Sequence, residues 1–107
     1  MLYSFRGGSD GADPMAGVVM DSKGNLYGTT QVGGGTGNGC KHTQYGIGCG
    51  TVFEVTPGGT EKILFAFALK YGQLPEAPLL LGKDGALYGT APDGGAHRDG
   101  VVFEVKK

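Results

Sequence analysis

The sequence carries almost no excess charge: nine Lys and Arg stand against ten Asp and Glu, a formal net charge of −1 over 107 residues. That balance excludes the basic footprint of a nucleic-acid binder and the attraction of a basic surface to anionic membranes. No apolar run approaches the ~20 residues that span a bilayer, so no membrane insertion is expected. The first residues, Met1-Leu2-Tyr3-Ser4-Phe5-Arg6, lack the charged region and apolar stretch of a secretion signal. No segment keeps apolar residues at helical spacing over the ~10 positions a helix requires, and helix is expected to be close to absent. Cysteine is scarce, with two residues in the whole chain.

What the sequence does have is glycine. With 23 Gly and 5 Pro, these two types make up about a quarter of the chain, against an average nearer one-eighth. Such a composition on its own points to disorder. The 39% of apolar residues and the five Tyr and five Phe supply more burial than a disordered segment carries. Both facts fit a folded, turn-rich, all-β domain.

The chain repeats itself. Leu2-Tyr3-Ser4-Phe5 recurs as Leu64-Phe65-Ala66-Phe67, and the stretch from Met20 to Thr30 recurs as Leu81 to Ala91, 61 positions on. Gly50-Thr51-Val52-Phe53-Glu54-Val55 returns as Gly100-Val101-Val102-Phe103-Glu104-Val105 after 50, so the first unit carries eleven extra residues between Thr30 and Gly50. Without that insertion a unit is about 50 residues, the size of one four-stranded propeller blade. Strands are predicted over Ala16–Asp21, Asn25–Thr30, Gly50–Thr56 and Lys62–Phe67, then over Pro78–Gly82, Ala86–Ala91 and Gly100–Lys106. The second unit lacks a fourth strand, whose counterpart Leu2–Phe5 stands at the N-terminus. The expected organisation is a single module over residues 1–107, with one blade over about 6–67 and a second over 68–107 completed by 2–5.

Ala16-Gly17-Val18-Val19-Met20, Ile63–Phe67 and Leu79-Leu80-Leu81 are apolar at consecutive positions, whereas a strand with one wet face alternates. Both faces are therefore expected to be covered, as in stacked blades; a β-sandwich is the alternative. Two blades cannot close a ring, because a propeller needs about four to eight. A closed homo-oligomer is the ordinary solution, and a trimer with six blades is favoured by fold-level analogy with two-blade lectins.

Asp21-Ser22-Lys23-Gly24-Asn25, Pro57-Gly58-Gly59 and Lys83-Asp84-Gly85 read as tight turns in which Gly supplies a positive φ. The long connections Arg6–Met15, Gln31–Cys49, Ala68–Ala77 and Pro92–Asp99 fall at the opposite end of an up-and-down meander, where a ligand site is expected. Cys40 and Cys49 flank a short stretch of the insertion and read most simply as a disulfide. A metal set of Cys40, His42 and Cys49 is the second reading and free thiols the third, but Cys-x-His is no recognised finger spacing, and neither metal nor cofactor is expected. Asp10 and Asp13 read as turn caps, since the calcium-loop ladder is missing. Glu54 and Glu104, at matched positions, read as structural or as charges facing a central channel, and Tyr27 and Tyr88 read as structural. His42, Tyr45, Asp93, His97, Arg98 and Asp99 are the candidate ligand-binding residues, polar groups on the long loops suited to a ligand such as a glycan. No catalytic residue is assigned, since no Ser nucleophile with a strained elbow accompanies His97 and Asp99.

Leu-Tyr-Ser-Phe with Gly-Gly-Ser-Asp-Gly-Ala-Asp-Pro, Asp-Ser-Lys-Gly-Asn-Leu-Tyr-Gly-Thr-Thr and Gly-Thr-Val-Phe-Glu-Val-Thr-Pro-Gly-Gly-Thr-Glu resembles the tandem repeat of the GloVer-containing proteins, bacterial cell-surface or secreted chains of many such units. The likeness is close from Leu2 to Ile63. It is looser in the second unit, which keeps Leu87-Tyr88-Gly89-Thr90 and Val102-Phe103-Glu104-Val105 but loses the acidic Gly-rich loop. The resemblance implies a propeller-like, extracellular module and does not imply an enzyme. The function expected is a binding or structural scaffold. The alternatives are a propeller-type hydrolase or lyase using His97, Asp99 and His42, or a fragment of a longer surface repeat protein with no small ligand.

Overall fold

The computed structural model describes residues 3–5, 11, 14, 17–31, 33–34, 42–43, 46–47, 49–67, 78–91 and 101–106. Among them every regular element is a β-strand. In the first unit these are β1 (Val19–Met20), β2 (Leu26–Thr30), β3 (His42–Thr43), β4 (Gly46–Ile47), β5 (Thr51–Val55) and β6 (Glu61–Ala66). The second unit supplies β7 (Leu80–Leu81), β8 (Leu87–Ala91) and β9 (Val101–Val105). They form a four-stranded sheet in the order β1-β2-β5-β6 and a three-stranded sheet in the order β7-β8-β9, with β3 and β4 as a separate pair. All pairings between these strands are antiparallel.

The turns behave as their chemistry predicts. Gly24, Gly59 and Gly85 hold φ near +85°, +89° and +84°, a region open to Gly at no steric cost. The edge strands β1 and β7 are shorter than the apolar runs suggest, since they keep only the two residues next to their turns. Pro78, at the head of one run, has no N–H to give a ladder.

Register repeats from unit to unit. Tyr27 faces Glu54 and Gly28 faces Phe53, as Tyr88 faces Glu104 and Gly89 faces Phe103. The glycines are required by the rings opposite: a Cβ on Gly28 would come within 2.7 Å of the Phe53 ring, and one on Gly89 within 2.6 Å of Phe103. Each phenyl group thus lies across a bare strand and presents its other side to whatever packs above it.

The core lies between the sheets. Tyr27, Cys49, Val52 and Phe67 of the first unit meet Leu79, Leu87 and Val105 of the second. Phe67 packs edge-on against Phe103, with ring centres 5.0 Å apart. Burying a Phe side chain contributes about 2–3 kcal/mol, and an edge-on aromatic pair adds about 1 kcal/mol. On the other face of the first sheet Phe5 packs against Phe53 at 5.0 Å. Tyr3 stands edge-on to Phe5 as Phe65 does to Phe67, both at 5.1 Å. The apolar runs of β1 and β7, expected to be covered on both faces, are covered on only one within a single chain: Val18, Met20 and Leu80 are exposed.

Candidate functional site

The tight turns after β1, β5 and β7 lie at one end of the sheets and the insertion at the other. At the insertion end the first sheet closes in a buried neck. Thr30 and Thr51 face each other across β2 and β5 with hydroxyl oxygens 2.7 Å apart, and the Thr51 amide donates to Thr30 Oγ1 at 3.1 Å. Gly11 lies hard against the Thr30 side chain. The Gly50 amide donates to the Gly33 carbonyl at 3.0 Å, and the Phe67 amide to the Gly50 carbonyl at 2.8 Å. A parallel bridge joins Gly33 to the fully buried Cys49. The insertion therefore leaves and re-enters the sheet at one pinned place.

Within the insertion, His42 pairs with Ile47 and Thr43 with Gly46. The stretch expected as the loop Gln31–Cys49 thus contains a strand pair, and strands of two residues are too short to display a period in sequence. Of the residues singled out from sequence, His42 opens β3 and Cys49 closes the insertion at the neck. Tyr45, Asp93, His97, Arg98, Asp99 and Cys40 lie outside the described residues, as do Asp10 and Asp13. Among the described residues no three His, Cys, Asp or Glu side chains gather as a metal ion requires.

The turn end holds a polar arrangement that occurs twice. The Tyr27 hydroxyl lies 2.9 Å from both Asp21 Oδ2 and Glu54 Oε2, so one phenolic proton serves two carboxylates. Asp21 also accepts from the Lys23 amide at 2.9 Å, the Asn25 amide at 3.0 Å and Asn25 Nδ2 at 3.1 Å. Desolvation acts to raise the Asp21 pKa, but the donors from Asn25, Tyr27 and Lys23 outweigh it and hold the carboxyl well below the usual carboxylate range. Burial, then the two carboxylates, push the Tyr27 phenol well above its ordinary value. In the second unit Tyr88 donates to Asp84 Oδ2 at 3.0 Å and Glu104 Oε2 at 3.2 Å. The Ala86 amide, followed by Tyr88, lowers the Asp84 pKa. The hydrogen bond to Asp84, then desolvation and the bond to Glu104, push Tyr88 up to about 12.

A phenol held in this way gives up no proton near neutral pH, and its hydrogen bonds tie each turn to its sheet. Glu54 and Glu104 have the structural role their recurrence suggests. The aspartates give no repeat signal in the sequence, because they do not align. At a constant shift of 61, Asp21 matches Gly82, and Asp84 stands two positions later in its turn. Gly82 leaves the room that Asp84 uses, since a Cβ there would lie 2.8 Å from Asp84 Oδ1 and 2.7 Å from the Tyr88 ring.

Turn, Tyr–Glu pair and Gly–Phe crossing thus recur as one pattern in both sheets, and the sequence model of the Gloeobacter/Verrucomicrobia repeat matches residues 1–107. The chain belongs to this repeat family. The GloVer resemblance therefore holds over the whole length, including the second unit of the Gloeobacter/Verrucomicrobia repeat, where the acidic loop is lost. No curated protein matches the chain.

Proposed function

We propose that this Gloeobacter/Verrucomicrobia repeat chain is a non-enzymatic binding or structural scaffold of the extracellular space. In this reading its two units are propeller blades, the second completed by the N-terminal strand, and three copies close a ring that offers its long-loop face to a polar ligand such as a glycan. The observation that carries the reading is the recurrence of one lock between successive units, Phe67 on Phe103 and Phe5 on Phe53. A unit that meets its neighbour the same way each time builds a ring or superhelix.

The choice of face rests on what each end has left to offer. At the turn end, Asp21, Tyr27 and Glu54, with Asp84, Tyr88 and Glu104, bond one another. At the other end a rigid neck carries the insertion, the arrangement that suits a recognition loop. We also propose that Cys40 pairs with Cys49 to stiffen that loop; no free cysteine occurs among the described residues.

A glycan array probed with the native chain and with His97→Ala tests the reading. Binding to a subset of glycans is expected, weakened roughly tenfold or more in the variant, a loss of about 1.4 kcal/mol. Binding to none reduces the chain to a purely architectural repeat. A hydrolytic or eliminating activity abolished by His97→Ala overturns the non-enzymatic assignment.

A further inference from the structure

Equivalent positions of the two sheets differ in exposure. Val52 of β5 is 0% exposed beneath the second sheet, whereas its counterpart Val102 of β9 is 82% exposed. Thr29 and Tyr27 are buried on that same face of the first sheet, while Thr90 is exposed and Tyr88 partly so on the second. On the opposite faces the order reverses. Leu79, packed against the first sheet, is 4% exposed, but its counterpart Val18 is 49% exposed. Register places Leu80 beside Tyr88, on the Val102 face, and Met20 beside Leu26, on the Val18 face.

All four of the exposed large apolar side chains among the described residues, Val18, Met20, Leu80 and Val102, therefore fall on two faces. One is the outer face of the second sheet, and the other is the outer face of the first. The latter carries an apolar depression of about 310 Å³ that includes Val18, Leu26, Phe53 and Val55. These are the counterparts of the two surfaces already joined inside the chain.

We infer that the chain associates with a second copy of itself head to tail, the Leu80–Val102 face of one copy covering the Val18–Met20 face of the next. The inference rests on the scaffold reading above and names the surfaces that make its ring. The partner is argued from complementarity: each open face matches one half of the internal interface, so a second copy supplies what is missing. The contact is heterologous, because the two faces differ, and it propagates until it closes.

The N-terminal segment already lies where this contact needs it. Phe5 rests on Phe53 as Phe67 rests on Phe103, and β6 pairs through Ala66 and Phe65 with Thr51 and Val52. By the same register, Ser4 and Tyr3 of one copy pair with Val101 and Val102 of another. Among the described residues β9 pairs with β8 alone, which leaves that edge open to an added strand.

Native mass by light scattering tests the faces. Wild type is expected as a discrete multimer, and Val102→Glu and Met20→Glu each as monomers with unchanged far-ultraviolet circular dichroism; both positions are exposed, and Leu80→Glu replaces Val102→Glu if that variant does not fold. Mixed one to one, the two variants retain one sound face each and form a dimer of twice the chain mass. A Ser4→Cys, Val101→Cys double variant gives covalent multimers on oxidation. If wild type is multimeric and Val102→Glu is equally so, the face assignment is wrong while the ring reading stands. If the mixture does not pair, the contact is not head to tail. If no covalent species form, the strand register is wrong. If wild type itself is monomeric, both the inference and the ring fall.

Discussion

Thr29 lies on the buried face of β2, and its hydroxyl has no hydrogen-bond partner among the described residues. A hydroxyl taken out of water without a partner costs about 1–3 kcal/mol, and valine has nearly the same shape without that cost. Thr29→Val is expected to raise unfolding free energy by about 1 kcal/mol, read as a higher urea midpoint at constant slope. Thr90, the equivalent position in the second unit, is exposed, and Thr90→Val should change nothing in a monomeric background. A loss of stability in Thr29→Val would mean that its hydroxyl is bonded in solution.

Two Asp–Tyr–Glu clusters act as elements, each fastening a turn to its sheet, and their titration has a definite sign. The phenols have folded pKa values above the ordinary value of about 10, so their contribution to stability is whole below that pH. It is lost as pH rises through the folded value, which for Tyr88 is a window ending near 12. The carboxyls of Asp21 and Asp84 are lowered; their contribution is whole above about pH 4 and lost as pH falls through their folded values. Ultraviolet absorbance of phenolate over an alkaline titration should show tyrosines ionising later than the rest, one step disappearing in Tyr88→Phe. A single step near pH 10 for all five tyrosines would mean that the clusters do not hold.

For the whole molecule, the proposed Cys40–Cys49 bridge is the covalent closure to test. A Cys40–Cys49 bridge closes a ten-residue loop, which limits the unfolded chain by about 2–3 kcal/mol. Adding reductant is expected to lower the unfolding free energy by that amount, read as a lower urea midpoint, while leaving the native mass unchanged, since the neck at Thr30, Thr51 and Gly33 holds without it. No shift on reduction, together with two titratable thiols in the native protein, removes the bridge from the account.

Local chemistry by itself determined the strands, the turns and the repeat. Apolar runs between Gly-containing turns, and a Tyr and a Glu returning at matched places, follow from period, propensity and φ, all of which act over a few residues. The β3–β4 pair was not legible, because two-residue strands have no period, nor was the pairing of Asp84 with Tyr88, because a side chain can reach the same hydroxyl from two places in a turn. Only the tertiary structure decided which of two chemically equivalent faces is buried. Val52 and Val102 occupy the same place in the same motif, and what separates them is whether another sheet lies above, a matter of long-range packing that no local pattern encodes.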